Sequence, residues 1–100
     1  MYEEYLANYN TYKAKYGPKV AMFLMVGMFY EMYDIRTSDG ETKTSFTQIT
    51  DILGLKVVVK KDGEGEALTA GIPESAVHRW AGKLTGLGWT VILIDQEHSE

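Results

Sequence analysis

The chain has 100 residues, no cysteine, 45% hydrophobic and 24% charged residues, and a formal net charge of −4. That length suits one domain over residues 1–100 with one core, the apolar share excludes a disordered chain, and the missing cysteines exclude disulfides and a thiolate zinc site. The negative charge counts against a DNA binder acting alone, because phosphate neutralisation by Lys and Arg supplies most nonspecific affinity.

The first segment carries tyrosines at positions 2, 5, 9, 12 and 16. Steps of three and four residues put them on one stripe of a helix, read as packed on the core, with a base-stacking array as the alternative. Stacking platforms sit beside basic neighbours, which this stripe lacks. Gly17-Pro18 stops the helix. Val20 to Val26 is continuously apolar, as in a strand buried on both faces, and Gly27 interrupts it before it approaches the ~18 residues of a membrane span. The start, Met1-Tyr2-Glu3-Glu4-Tyr5, is unlike a signal peptide, so a soluble intracellular protein with no membrane association is expected.

Met28 to Tyr33 continues in extended or hairpin-like form. Alternation then places Phe29, Glu31 and Tyr33 on one face and Met28, Tyr30 and Met32 on the other. Thr37 to Thr44 is polar with an Asp-Gly turn signal. Ser45 and Gln48 have capping-box spacing, before a short helix with Phe46, Ile49, Ile52 and Leu53 on its apolar face and Gly54 as its stop. Leu55 to Lys60 reads as a strand. Asp62 to Gly65 is a turn, Ala67 to Ala70 a possible short strand, and Gly71-Ile72-Pro73 a tight loop. A helix burying Val77, Trp80, Ala81, Leu84 and Leu87 ends at Gly88, and Thr90 to Ile94 is a last, central strand. This order predicts an α/β fold, a small mixed β-sheet packed with about three helices.

Gly27-Met28-Phe29-Tyr30-Glu31 is the segment with chemical potential. Gly27 permits a backbone that a side chain forbids. Phe29 and Glu31 stand about 7 Å apart along one strand face. An aromatic ring there can wedge into a base stack from the minor groove while the carboxylate bonds a displaced base. From these residues alone, a core Phe29 and a surface Glu31 remain the plainer alternative.

Taken together, the order of motifs resembles the N-terminal mismatch-recognition domain, domain I, of MutS proteins over almost the whole chain. The Gly-x-Phe-Tyr-Glu motif is Gly27, Phe29, Tyr30 and Glu31. The Ala-Gly-Ile-Pro motif is Ala70 to Pro73. An aromatic with a Lys-Leu pair is Trp80, Lys83 and Leu84, and the closing strand and its flanks give Gly88, Trp89, Val91, Asp95 and Gln96. The resemblance implies that Phe29 is the mismatch wedge, that Glu31 contacts the mispaired base, and that Gly71-Ile72-Pro73 lies near the same groove. It implies mismatched double-stranded DNA as partner, with the remaining MutS domains and a second MutS subunit. This chain itself would carry no cofactor and no metal, ATP and magnesium belonging to a separate ATPase domain. Met28 where many members have an acid, the divergent Thr37 to Thr44, and Lys56 to Lys60 are departures. They resemble the divergent MutS relatives of giant viruses and some organelles.

Lys43, Lys56, Lys60, Lys61 and Arg79 are candidates for a local basic patch, each more simply a solvated surface residue. His78 is expected at the surface, His98 near a mobile end, and Trp80 and Trp89 in the core. Two other functions compete. A metal-dependent nuclease could recruit Glu31, Asp51 and Lys60, although no strand clusters acids beside a lysine. A protein-interaction module would use the acidic surface with its tyrosines and methionines.

Overall fold

The computed structural model describes residues 2–95; Gln96 and His98 lie outside them. In chain order the elements are α1 (Tyr2–Tyr16), β1 (Val20–Val26), β2 (Phe29–Arg36), α2 (Phe46–Leu53), β3 (Val58–Asp62), β4 (Gly65–Pro73), a 3-10 turn (Glu74–Ala76), α3 (Val77–Gly86) and β5 (Thr90–Ile94). The strands form one sheet in the order β3-β4-β2-β1-β5. β1 pairs with β5 in parallel and the other neighbours are antiparallel. This is the expected small mixed sheet with three helices. No helix among the described residues is long and apolar enough to cross a membrane.

The sheet has two unlike faces, and strand periodicity sets them apart. Tyr30, Met32 and Asp34 of β2 stand opposite Ile72, Ala70 and Leu68 of β4, and every one of these is buried. This face carries the main core, completed by Phe46 and Ile49 of α2 and by Val77 and Leu84 of α3. The opposite face carries Phe29, Glu31 and Tyr33 against Pro73, Gly71 and Thr69. There α1 covers only the Tyr33 end. The Tyr2 and Tyr5 rings meet Tyr33 edge-on at 5.0 and 5.1 Å, and the hydroxyls of Tyr2 and Thr69 share a 2.6 Å hydrogen bond. The tyrosine stripe is therefore a packing stripe at Tyr5 and Tyr9, and it runs out into solvent at Tyr16. The Phe29 end of the same face stays uncovered.

Several local expectations are corrected. Ser45 makes no side-chain cap of α2; its hydroxyl donates instead to the Val20 carbonyl at 2.7 Å and accepts from Tyr9. The Thr44 hydroxyl oxygen accepts from the Phe46 N–H in its place. The strand read at Leu55 to Lys60 starts later, at Val58, and runs to Asp62 as an exposed edge. Leu87 is 51% exposed, because α3 has already ended at Gly86. Trp80 is only half-buried, its ring face taken by Arg79 and Lys83. β5 lies at the sheet edge and is half-buried along its length, not central, because nothing among the described residues pairs with its far side.

Candidate nucleic-acid interface

The uncovered end of the sheet is built on a two-residue hairpin. Val26 pairs with Phe29 across Gly27-Met28, and Gly27 holds φ at +61°. A glycine at this first central position is what a type II′ turn takes, and that turn matches the twist of the flanking strands. The hairpin tip is also tied sideways: the Glu74 N–H donates to the Met28 carbonyl at 2.8 Å. Behind it the Tyr30 hydroxyl donates to the Asp95 carboxylate at 2.5 Å. That bond, aided by burial and by the Asp95 charge, pushes the Tyr30 phenol up to about 12. The tip is thus anchored to the end of β5 and to the turn after β4.

On this frame Met28 is 75% and Phe29 46% exposed. Two adjacent large apolar side chains exposed at a hydrogen-bonded tip make this the candidate contact surface. Phe29 forms a wall shared by two grooves. One, of about 560 Å³, is lined by Met28, Tyr30, Pro73, Glu74 and His78 on its other sides. The second, of about 250 Å³, is lined by Glu31, Lys56, Val58, Thr69 and Gly71.

Glu31 is half-buried on the same face as Phe29. Gly71 sits opposite it in the ladder. A β-carbon at Gly71 would stand 3.4 Å from the Glu31 Cγ and 3.7 Å from the Phe29 Cδ2. The glycine therefore leaves the floor between ring and carboxylate clear. One Glu31 oxygen, Oε1, accepts from the Tyr33 hydroxyl. Burial first, and then this bond and the Glu31 charge, raise the Tyr33 phenol well above its ordinary value. It stays a donor at any physiological pH.

Phe29, Glu31, Gly71 and Pro73 are brought together, although Phe29 and Pro73 lie far apart in sequence. Gly71-Ile72-Pro73 does so as the end of β4, not as a loop: it pairs with Tyr30 and its neighbours to complete a nine-residue strand. Pro73 has no N–H to give a further ladder bond and ends it. Ile72 points the other way and is fully buried, so of the three residues only Gly71 and Pro73 face the site. Of the five basic candidates, Lys56 alone lines a groove with Phe29 and Glu31. Alternation in the sequence already puts Tyr33 on the face of Phe29 and Glu31; what it does not reveal is the hydrogen bond from Tyr33 to Glu31 and the place of Lys56 in the groove wall. Among the described residues, no three His, Cys, Asp or Glu side chains are grouped to hold a metal ion. Asp51 lies on α2 and Lys60 on the edge strand β3.

The family model for MutS domain I matches residues 4–100. No curated protein matches the chain.

Proposed function

We propose, starting from the fact that this chain belongs to the MutS domain I family, that it probes duplex DNA for mismatches with Phe29 as the inserted wedge and Glu31 as the carboxylate that receives the displaced base. The observation that carries this reading is the exposed ring at a rigid hairpin tip with a carboxylate two residues on, both on one uncovered face. Pushing a ring into a base step costs a few kcal/mol of stacking. A mispaired step has lost part of that stacking already, so it yields at lower cost. Selectivity then comes from deformability, with no base sequence read. An ionised carboxylate only accepts hydrogen bonds, so Glu31 would take an N–H of the unstacked base. In this reading the probe works within a MutS protein whose other domains, and a second subunit, grip the backbone and use ATP with magnesium. The acidic balance of the chain is then no obstacle, because probing does not require the chain to hold the duplex.

Insertion has a direct optical signature. A duplex with 2-aminopurine beside a mismatch should brighten on binding, because unstacking removes its quenching, and a matched duplex should not. Equal brightening of both, or none in either, would remove the wedge reading.

Lys56 brings a positive charge to the groove beside Phe29 and Glu31. Lys56→Gln should weaken matched and mismatched duplexes by the same factor and reduce the slope of log affinity against log salt by about 1. A change confined to mismatched DNA would mean that Lys56 reads the lesion and not the backbone.

A protein-interaction role is favoured by one specific feature, the exposed β3 edge with Val58 and Val59 about half exposed. Unpaired edges invite added strands. That surface is compatible with docking to neighbouring MutS domains, and a module using it for another partner would be indifferent to Phe29→Ala.

A further inference from the structure

We propose that Tyr33 is the positioning residue for Glu31, and that the tyrosine stripe of α1 exists in part to hold it. The inference deepens the mismatch-probe reading and rests on it.

A glutamate on a strand has three side-chain torsions, and an exposed one samples many rotamers. A base contact needs one of them. Tyr33 lies two residues beyond Glu31 on the same face, and its hydroxyl donates to Glu31 Oε1. That bond holds the carboxylate by Oε1 and leaves Oε2 without a protein partner among the described residues, on a side chain that lines the groove shared with Phe29 and Lys56. The donor is itself immobilised. Tyr2 and Tyr5 of α1 pack edge-on against its ring, with interplanar angles of 62° and 87°. Tyr2 is pinned by its hydrogen bond to Thr69, which stands opposite Tyr33 in the ladder. Tyr5 is pinned by donating to the Met22 carbonyl at 2.5 Å. Helix α1 is thus linked to the base-contacting carboxylate through one phenol. The raised phenol keeps its proton, so the bond points from Tyr33 to Glu31 across the physiological pH range. A phenylalanine would fill the same cage and leave the carboxylate unheld.

The test places residues 1–100 in a MutS protein in exchange for its own domain I, so that the clamp domains supply the grip, with competition binding to matched and mismatched duplexes and NMR of the 100-residue chain for the carboxyl group. Three variants are compared with the wild type: Tyr33→Phe, Glu31→Ala and the double variant. Tyr33→Phe should keep the fold, by its melting curve, and lower the preference for mismatched DNA by about tenfold to a hundredfold, as expected for one charge-assisted hydrogen bond. The double variant should lose no more than Glu31→Ala does, because the phenol acts only through the carboxylate. The Glu31 carboxyl carbon should also shift in Tyr33→Phe without DNA. An unmoved carboxyl resonance, or additive losses in the double variant, would overturn the positioning role. If Glu31→Ala loses preference while Tyr33→Phe keeps it, the positioning role falls and the probe reading stands. If the wild type shows no preference, both fall together.

Discussion

Phe29→Ala should abolish the preference for mismatched over matched DNA while leaving the fold intact. The ring is 46% exposed and lies on the uncovered sheet face, so its removal opens no closed cavity. The expected stability loss is about 1 kcal/mol or less, as for substitutions away from the core. The functional loss is large because no neighbour can substitute. Pro73, its partner in the ladder, is short and rigid. Met28 precedes it but belongs to the turn, outside the strand that aims Phe29. Each 1.4 kcal/mol of lost discrimination is about tenfold in relative affinity, so the ratio of the two affinities should fall to about one. Competition binding with the two duplexes reads that ratio, and a melting curve of the same sample shows that the fold has survived. A mutant that melts normally and still discriminates would assign the wedge elsewhere.

Asp34→Ala should be the most damaging single change to stability. Its carboxylate is fully buried. It accepts from the N–H groups of Lys43 and Thr44 at 2.9 and 3.2 Å, from the Thr44 hydroxyl at 2.9 Å and from the Ile35 N–H at 2.6 Å. These bonds fasten the polar segment after β2 to the sheet and so set where α2 begins. Alanine would strand the donors and leave a cavity. Stranding buried donors costs about 1–3 kcal/mol each, so losing these three N–H partners and one hydroxyl partner should cost at least about 3 kcal/mol in all. In a domain this size each kcal/mol moves the melting temperature by about 4–8 °C. The midpoint should therefore drop by more than about 12 °C in a thermal melt. A drop of a few degrees would mean that water reaches the site and replaces the carboxylate.

Much of the fold is legible because local pattern and tertiary need agree. The apolar run of β1, the Gly27 turn, the Gly17-Pro18 stop and the Gly54 left-handed cap each follow from one residue's own preferences. The misreadings fall where a distant partner decides. Gly71-Ile72-Pro73 has the composition of a turn, yet pairing with β2 draws it into a strand. Ser45 has the chemistry of a cap, but the Val20 carbonyl and Tyr9 claim its hydroxyl. Thr90 to Ile94 reads as a central strand from apolarity alone, whereas strand order is a property of the whole topology. Asp34 hides for a similar reason: an acid in an aromatic strand reads as exposed, and only alternation from buried Tyr30 and Met32 would have turned it inward.

For the candidate site, the sequence held Phe29 and Glu31 through their spacing and the resemblance, because they sit on one short strand. Alternation also placed Tyr33 on that face and Lys56 stood among the basic candidates, but the Tyr33–Glu31 hydrogen bond and the place of Lys56 in the groove wall depend on strand pairing and on the packing of α1. Net charge misled in the same way. A total of −4 says nothing of where the charges lie, and the groove beside Phe29 carries a lysine that makes no ion pair among the described residues.

The most direct test places residues 1–100 in a MutS protein in exchange for its own domain I, so that the clamp domains supply the grip. Affinity is then measured for a matched duplex and for the same duplex with one mismatch, at a fixed salt concentration. Tighter binding to the mismatched duplex, by about tenfold or more, is the predicted result. Equal affinity for the two duplexes, on a scaffold that discriminates with its own domain I, would contradict it and leave the chain with the family's fold and not its probing function.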